Sequence, residues 1–463
     1  MPKIAFIHPD LGIGGAERLV VDAAVGLQEL GHSIKVYTSH CEPSHCFEEV
    51  SDGTLDVSVY GDFLPSTLLG RFHILFAILR QFYLVVRLIV SGEVTQYDYF
   101  VVDQLSFCVP LLSIFSKNSA RVLFYCHFPD QLLAKKGGFA KKLYRVPFDA
   151  LEEWTTGVSD RIVVNSTFTK SIFHDTFKNF SAVDPGVIYP CVDVNVTSAS
   201  NQASEDELLG FMNGKKFFLS INRFERLKNV RLAVEAFAKL LQDLPADTEA
   251  PKLILAGGFD SRIRENVEYL AELQALCDSL NLTNYTFRGK LVLMPQSTQV
   301  IFLPSVKSSV KNAALKHAEM LLYTPTFEHF GIVPVESMLY KTPVLAINRG
   351  GPLESIVNFD EKNLDVATGF NRPNDVDDWA SVLFRYYTEY DQPTKNALGE
   401  NGARRANSMF SREKMSVAFQ DQLVSSKMSR IGKGILYNTL ALWKLWMFGL
   451  LLSFMAALVV SHL

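Results

Sequence analysis

The chain opens with a short apolar run, a glycine-containing polar loop and an amphipathic segment of helical length. Residues 3–8 have the pattern of a buried parallel strand, and a helical period follows to about Leu30. Gly31 ends that helix, and residues 33–38 predict the next strand. Strand, loop, helix, strand is the opening of a doubly wound α/β domain. Further strands in this half are predicted at 99–103, 121–126 and 161–165.

A polar stretch at residues 195–206 interrupts the pattern just after Pro190 and predicts a linker or exposed loop. A second series of the same kind follows it. Its predicted strands are 216–222, 252–256, 285–288, 318–323 and 343–347, and its predicted helices are 229–241 and 377–387. A last helix, about 412–423, could cross back onto the first domain.

The fold class predicted from this order is α/β, with two tandem Rossmann-like domains facing a cleft. The predicted boundaries are 1–190 for the first domain, 191–213 for a linker and 214–425 for the second domain. The length of 463 residues agrees with two or three domains.

The C-terminal residues 435–463 predict a membrane anchor. Lys444 is the only charged residue among them, and residues 441–463 would extend roughly 34 Å as a helix, enough to cross a hydrocarbon core. Basic residues precede the segment, so the positive-inside rule places the globular part in the cytosol. A monotopic helix or a hairpin beginning near Ile435 remains an alternative.

Two further segments are related to membranes less directly. Residues 64–90 are apolar but include three arginines, so a spanning helix is costly. They fit either an amphipathic helix lying on a membrane or a helix packed in the domain. Residues 131–145 carry lysines among leucines, which fits a solvated face and an anion-attracting face equally well.

Charge and cysteine content exclude some classes of function. The formal charge of −4 does not favour a nucleic-acid partner. Six scattered cysteines fit a reducing compartment. Cys41 and Cys46 have neighbouring histidines, but no second ligand pair follows at zinc-binding spacing.

The candidate chemistry lies after predicted strands of the second domain. Arg223 and Lys228 follow its first strand, where cations can bind a diphosphate. Gly257 follows the next strand. Glu328 precedes Gly331, and Glu336 is expected in the first turn of the helix that Pro334 helps to start. Taken alone, the Glu328–Glu336 stretch is more typical of an ordinary capped helix.

The first domain contributes a glycine loop and a histidine. Gly14 and Gly15 open the first helix in a spacing that is not a clean dinucleotide fingerprint, and no acidic residue ends the second strand. A dinucleotide-binding enzyme is therefore disfavoured. His127 lies just past a predicted strand, at the edge where α/β sheets bind ligands.

In combination these motifs resemble glycosyltransferase family 4, whose members have the GT-B fold and retain anomeric configuration. Within it the chain is similar to the eukaryotic α-1,3/1,6-mannosyltransferases of dolichol-linked oligosaccharide synthesis. The likeness spans residues 3 to about 425, and the hydrophobic tail also fits it. It rests on His-Pro-Asp-x-Gly-x-Gly-Gly-Ala-Glu-Arg at 8–18, Asn-Arg-Phe-Glu-Arg at 222–226, Ala-Gly-Gly-Phe-Asp at 256–260 and Tyr-Thr-Pro-x-x-Glu-His-Phe-Gly-Ile-Val-Pro-x-Glu at 323–336.

The resemblance implies a GDP-mannose donor and a dolichol-pyrophosphate-linked oligosaccharide acceptor at the cytosolic face of the endoplasmic reticulum membrane. It implies no metal cofactor, and other mannosyltransferases of the pathway are candidate partners. No protein nucleophile is evident, so we expect a front-face mechanism in which the leaving phosphate helps to deprotonate the acceptor.

The resemblance also implies a role for each site residue. Arg223 and Lys228 would hold the donor diphosphate, Glu328 would contact the mannose hydroxyls, and Glu336 would bind the ribose. His127 would lie near the transferred sugar. The remaining expected donor contacts are the amides of Gly331, Ile332 and Val333 and the glycines Gly14, Gly15 and Gly257.

One departure from the family pattern is Leu227, which stands where a second basic residue is expected. Two alternative functions remain open. One is a hexosyltransferase of the same fold with another nucleotide-sugar donor, and the other is an inactive membrane-tethered scaffold.

Overall fold

A computed structural model describes residues 1–68, 72–133, 139–180, 183–194, 202–287, 289, 291, 294–427, 443, 447–449 and 451. The chain forms two compact units. The first comprises Met1–Pro190 with the chain from Arg412 onward, and the second comprises Cys191–Ser411.

The first unit is a seven-stranded parallel sheet covered by helices, with strand order β3-β2-β1-β4-β5-β6-β7. Its strands are β1 Lys3–His8, β2 Ser33–Thr38, β3 Val57–Val59, β4 Tyr99–Asp103, β5 Arg121–Cys126, β6 Arg161–Val164 and β7 Gly186–Val187. Its helices are α1 Gly15–Glu29, α2 Glu48–Ser51, α3 His73–Val90, α4 Val109–Phe115, α5 Asp130–Leu133, α6 Phe139–Gly157 and α7 Thr167–Thr176.

The second unit repeats the architecture with strand order β10-β11-β9-β8-β12-β13-β14, all parallel. Its strands are β8 Phe217–Ile221, β9 Lys252–Gly257, β10 Asn284–Thr286, β11 Val300–Pro304, β12 Met320–Tyr323, β13 Val344–Ile347 and β14 Gly369–Arg372. Its helices are α8 Gln202–Met212, α9 Arg231–Asp243, α10 Arg264–Ser279, α11 Ser308–His317, α12 Ile332–Leu339, α13 Pro352–Ser355, α14 Val376–Phe384, which a π-turn at Arg385–Glu389 extends, and α15 Gln392–Met409.

The last long helix, α16 (Arg412–Ser426), belongs to the first unit. Its Phe419 stacks on Tyr125 of β5 with ring centroids 5.7 Å apart, and it also meets Phe6 of β1. Gly26 of α1 allows α16 to approach closely, because a Cβ there would meet the Ser416 side chain. This glycine explains why α1 and α16 can pack side by side.

Each sheet contains a point where the strand order reverses direction. In the first unit it lies between β1 and β4, and in the second unit between β8 and β12. Open α/β sheets bind ligands at the carboxyl ends of the strands at such switch points. The loops after β1, β4, β8 and β12 are therefore candidate ligand-binding loops.

The prediction of two parallel α/β sheets is confirmed, and most predicted strands form within a residue or two of the expected bounds. Four strands were missed: β3, β7, β11 and β14. β11 is fully buried, but its apolar run is short and follows a polar stretch without a clear period. Helix α8 was also missed, and it lies inside the segment expected to be a linker. Its Leu208, Phe211 and Met212 are buried and hold it in place.

Among the described residues, α3 is the one helix long and apolar enough to cross a membrane by length and composition. One of its faces packs on the first unit through residues that include Leu84, Val85 and Leu88. Arg80 donates to the main-chain oxygen of Leu64 at 2.7 Å, and Arg87 lies over the ring of Tyr60. Both arginines thus have partners within the unit.

The predicted anchor at 435–463 and the basic residues Lys135 and Lys136 lie outside the described residues, apart from residues 443, 447–449 and 451. Phe448 has its ring centroid 5.5 Å from that of Phe148 on α6. The anchor and its orientation therefore stay predictions.

Two glycines inside helices test how closely the second unit is packed. Gly399 of α15 would place a Cβ 2.3 Å from the main-chain oxygen of Lys341, whereas Gly210 of α8 faces open space. We expect Gly399→Ala to destabilise the unit by about 1–3 kcal/mol, because a backbone clash outweighs helix propensity. Gly210→Ala should be neutral or stabilise by up to about 1 kcal/mol. Urea unfolding of both variants measures the difference, and equal midpoints would contradict this packing.

Candidate active-site residues

The two strands at the switch point of the second unit continue directly into polar loops. β8 is followed by Asn222 and Arg223, and β12 by the loop that carries Glu328. The hydroxyl of Thr324, directly after β12, donates to the main-chain oxygen of Lys228 at 2.7 Å. This bond joins the two loops at the ligand-binding edge of the sheet.

An ion pair joins the same two loops. Nζ of Lys228 lies 2.7 Å from Oε2 of Glu328, and both side chains are partly exposed. Tyr323 lies beneath them. Burial and the charge of Glu328, which the tyrosine hydroxyl contacts, raise the pKa of Tyr323 well above its usual range. Tyr323 therefore stays protonated, and Glu328 is held by a cation and by a hydroxyl.

The loop that carries Glu328 rests on the turn after β13. The main-chain N–H of Gly351 donates to the main-chain oxygen of Glu328 at 2.9 Å. Gly350 has a φ of +74° and would place a Cβ 2.4 Å from that same oxygen. A Cβ on Gly351 would lie 2.2 Å from Cα of Phe330. Glycine at these two positions allows the two loops to touch backbone to backbone, and this contact sets the position of Glu328.

Arg223 and Gly257 lie at the ends of neighbouring strands. Gly257 has a φ of +146°, and a Cβ there would lie 1.9 Å from the main-chain oxygen of Asn222, so only glycine fits. Arg223 is 67% exposed, and one of its guanidinium nitrogens lies 3.9 Å from the carboxylate of Glu225. Its guanidinium is thus available to a ligand, whereas that of Arg226 is bound to Glu268 and Glu272 of α10.

Glu336 lies on α12 and makes an ion pair that the sequence did not reveal. Nζ of Lys311, on α11, lies 3.0 Å from both carboxylate oxygens of Glu336. The expectation that Glu336 falls in the first helical turn was wrong, because α12 begins at Ile332 and Glu336 is its fifth residue.

The amides at the start of α12 agree with the expected geometry. Gly331 precedes the helix with a φ of +83°, and Ile332 and Val333 are its first residues. The first N–H groups of a helix have no acceptor within it, and the helix dipole favours an anion there. Glu328 lies just before this helix start.

At the switch point of the first unit, two histidines converge on one carboxylate. Nδ1 of His8, the last residue of β1, donates to Oδ2 of Asp103 at 2.7 Å. Nε2 of His127, just after β5, lies 2.6 Å from Oδ1 of Asp103, although its N–H is poorly aligned with that oxygen. His8 and Asp103 are each 1% exposed and His127 is 19% exposed.

Glu17 completes this cluster from α1, with Oε1 3.9 Å from Nε2 of His8. Burial opposes the charge on His8, but the hydrogen bond to Asp103 and the negative charges of Asp103 and Glu17 outweigh it and raise the pKa of His8 to about 9. Burial likewise opposes the charge on Asp103, but His127 and His8 hold its pKa at about 2. At neutral pH, His8 is a buried imidazolium between two carboxylates.

Gly14 and Gly15 of the glycine loop differ in their surroundings. A Cβ on Gly14 would meet the carboxylate of Glu17, whereas one on Gly15 would point into open space. Open space at the start of a 15-residue helix is compatible with close approach of a ligand to the backbone.

Sequence reasoning missed several members of these clusters: His8, Glu17, Asp103, Lys311 and Tyr323. Asp103 ends a strand that the pattern did predict, so its position at a strand's carboxyl end was an available signal. Lys311 follows the missed strand β11, and nothing in its local sequence distinguishes it from a surface lysine.

Comparisons with known proteins agree with the fold and identify the family to which the chain belongs. The profile described as "Glycosyltransferase Family 4" matches residues 13–196, and "Glycosyl transferases group 1" matches residues 201–405. The chain is 58% identical over 460 residues to the alpha-1,3/1,6-mannosyltransferase ALG2 of Debaryomyces hansenii, covering 98% of this chain and 96% of that protein. It is 49% identical to the protein of the same name from Saccharomyces cerevisiae, over 91% of this chain and 84% of that protein. The chain belongs to the family of α-1,3/1,6-mannosyltransferases.

Solved structures of other glycosyltransferases share the fold with this family member. A sucrose-phosphate synthase from Thermosynechococcus elongatus matches with a TM-score of 0.67 and 17% identity, over 92% of this chain and 99% of that one. A glycosyltransferase from Rickettsia africae matches with a TM-score of 0.66 and 15% identity, over 92% and 98%. At these identities the likeness concerns the GT-B fold alone.

Within the described part of the chain, no group of three or more His, Cys, Asp or Glu side chains is placed to hold a metal ion. All six cysteines are free.

The contact beneath Glu328 can be tested with two glycines of equal φ. Gly350 and Gly214 both have φ +74°, but only Gly350 would place a Cβ against another backbone. We expect Gly350→Ala to destabilise the second unit more than Gly214→Ala, because both introduce left-handed strain and only the first adds a clash. Hydrogen exchange should also increase in residues 324–331 for Gly350→Ala alone. Equal effects of the two variants would refute the contact.

Proposed function

We propose that this protein transfers mannose from GDP-mannose to a mannosylated chitobiosyl-pyrophosphoryl-dolichol, forming the α-1,3 and α-1,6 linkages of the N-glycan precursor. The observation that carries the proposal is the 58% identity, over almost the whole chain, to a protein named for these two linkages. The ion pairs at the switch point of the second unit support it, because they involve residues that the family resemblance assigns to the donor.

The second unit binds the donor in this proposal. Arg223 and Lys228 bind the diphosphate. The arginine can donate bidentate hydrogen bonds to two phosphate oxygens, and the lysine acts as a point charge. Glu328 contacts the mannose hydroxyls, and the amides from Gly331 to Val333 meet the sugar or a phosphate.

Glu336 binds the ribose and Lys311 steadies its carboxylate. The 3.0 Å contacts from Lys311 to both oxygens leave lone pairs on each oxygen for hydroxyl donors.

The first unit supplies His127 near the transferred sugar. Gly14 and Gly15 of the first unit, and Gly257 of the second unit, allow close approach of the backbone to the ligand. His127 is partly exposed, and its buried Nε2 lies 2.6 Å from Oδ1 of Asp103.

The reaction retains configuration by a front-face path. The bond from the anomeric carbon to the β-phosphate oxygen breaks while the acceptor hydroxyl oxygen bonds to that carbon from the same face. The hydroxyl proton passes to the β-phosphate oxygen, and Lys228 and Arg223 stabilise the charge that develops on GDP. Glu328 is already engaged by Lys228 and Tyr323, which favours a positioning role over a covalent one.

In this proposal the enzyme needs no metal, since two side-chain cations take the place of a metal at the diphosphate. It acts at the cytosolic face of the endoplasmic reticulum membrane, held there by the predicted C-terminal anchor. Exposed apolar side chains on α3, including Leu79, Phe82 and Tyr83, support contact with a lipid phase.

One assay tests the donor and the acceptor together. Purified full-length protein receives GDP-mannose, or separately UDP-glucose, with a phytanyl-pyrophosphate-linked trisaccharide ending in mannose, in buffer with EDTA. We expect products with one and two added mannoses from GDP-mannose. Transfer from UDP-glucose alone would reassign the donor, and transfer from neither would favour a scaffold.

Two charge-removing variants test the donor residues. Lys228→Ala should lower kcat/KM by about 10²–10³-fold, because one fixed cation at the developing phosphate charge is lost. Glu336→Ala should mainly raise the KM for GDP-mannose. Lys239→Ala, which removes a lysine from a surface pair with Asp377, is the matched control. Wild-type turnover in Lys228→Ala would remove that residue from the site.

A further inference from the structure

We propose that His8 is a positioning residue for the transfer reaction, acting through Asp103 on His127. This inference rests on the proposed function for its reaction, but its structural basis is separate. It starts from the convergence of three strand ends, β1, β4 and β5, at the switch point of the first sheet.

The cluster is graded from buried to exposed. His8 and Asp103 are almost fully buried, and His127 is the one member of the three with appreciable exposure. Nε2 of His127 is itself buried and faces Asp103. The exposed part of the ring is therefore on its other side, so Nδ1 is the nitrogen left to meet a substrate group.

We infer that Asp103 positions the ring of His127, and that it can do so only while its own carboxylate stays ionised and in place. Each of its two oxygens faces a different histidine: Oδ2 accepts from His8 and Oδ1 faces His127. An isolated buried carboxylate would take up a proton, but a buried imidazolium at 2.7 Å favours the ionised form. His8 thus supplies the counter-charge that keeps Asp103 ionised beside His127.

Glu17 links the same imidazolium to the glycine loop. Its carboxylate approaches His8 on one side and lies under Gly14 on the other. The groups that face His8 are accordingly Asp103 from β4 and Glu17 from α1, with His127 beyond Asp103. One buried cation thereby lies between the carboxylate beside His127 and a carboxylate in the first turn of α1.

A double-mutant cycle distinguishes positioning from a general structural role. His8→Leu and Asp103→Asn should each lower kcat on the order of 10²-fold with little change in the KM for GDP-mannose, as expected for a misplaced group. His8→Asn, which retains a donor where Nδ1 stood but carries no charge, should recover only part of the activity. In a His127→Ala background, His8→Leu should cost almost nothing further.

His40→Asn is the matched control, because His40 makes a 2.6 Å contact with Asp62 in the same unit, outside this cluster. It should leave kcat unchanged. A loss from His8→Leu that persists undiminished without His127 would overturn the proposal, as would wild-type kcat in both His8→Leu and Asp103→Asn.

The pH dependence of unfolding provides a readout independent of activity. The folded-state pKa of His8, about 9, is above its ordinary value of 6.5, so its contribution to stability is complete below pH 6.5 and is lost as pH rises through 9. The stability difference between wild type and His8→Asn should shrink over that window. A constant difference would contradict a charged His8. If wild type transfers no mannose, the proposed function fails, while this measurement still tests the cluster.

Discussion

The candidate site of the second unit is built around the ion pair between Lys228 and Glu328. It joins the loops that leave β8 and β12, and the Thr324 bond to the main chain of Lys228 reinforces it. Gly350 and Gly351 set the position of the acidic partner by direct backbone contact. Because the pair lies at the carboxyl edge of the sheet, it occupies the position at which open α/β sheets bind ligands.

The switch point of the first sheet carries a different arrangement of charges from that of the second sheet. There the switch point is occupied by a buried carboxylate between two histidines, with one imidazolium fully enclosed. Burial raises the cost of each charge, so the groups are stable only together. The three side chains therefore have little freedom to reorient independently of one another.

The sequence was sufficient for the fold because buried parallel strands are short apolar runs, and those runs repeat in order with helices. The sequence was less informative about which charged side chains form ion pairs with one another. Arg226 and Lys228 are two positions apart in one loop, yet Arg226 is bound to Glu268 and Glu272, and Lys228 to a glutamate 100 residues away. Lys311, which pairs with Glu336, gives no local signal at all. Such pairs are set by the meeting of distant strands and helices, which periodicity does not report.

The most direct test of this account is a structure of the full-length protein with GDP-mannose bound. We expect diphosphate oxygens within hydrogen-bond distance of both Arg223 and Lys228, the ribose hydroxyls at Glu336, and the mannose hydroxyls at Glu328. A diphosphate bound away from Arg223 and Lys228, with the Lys228–Glu328 pair unchanged, would contradict it.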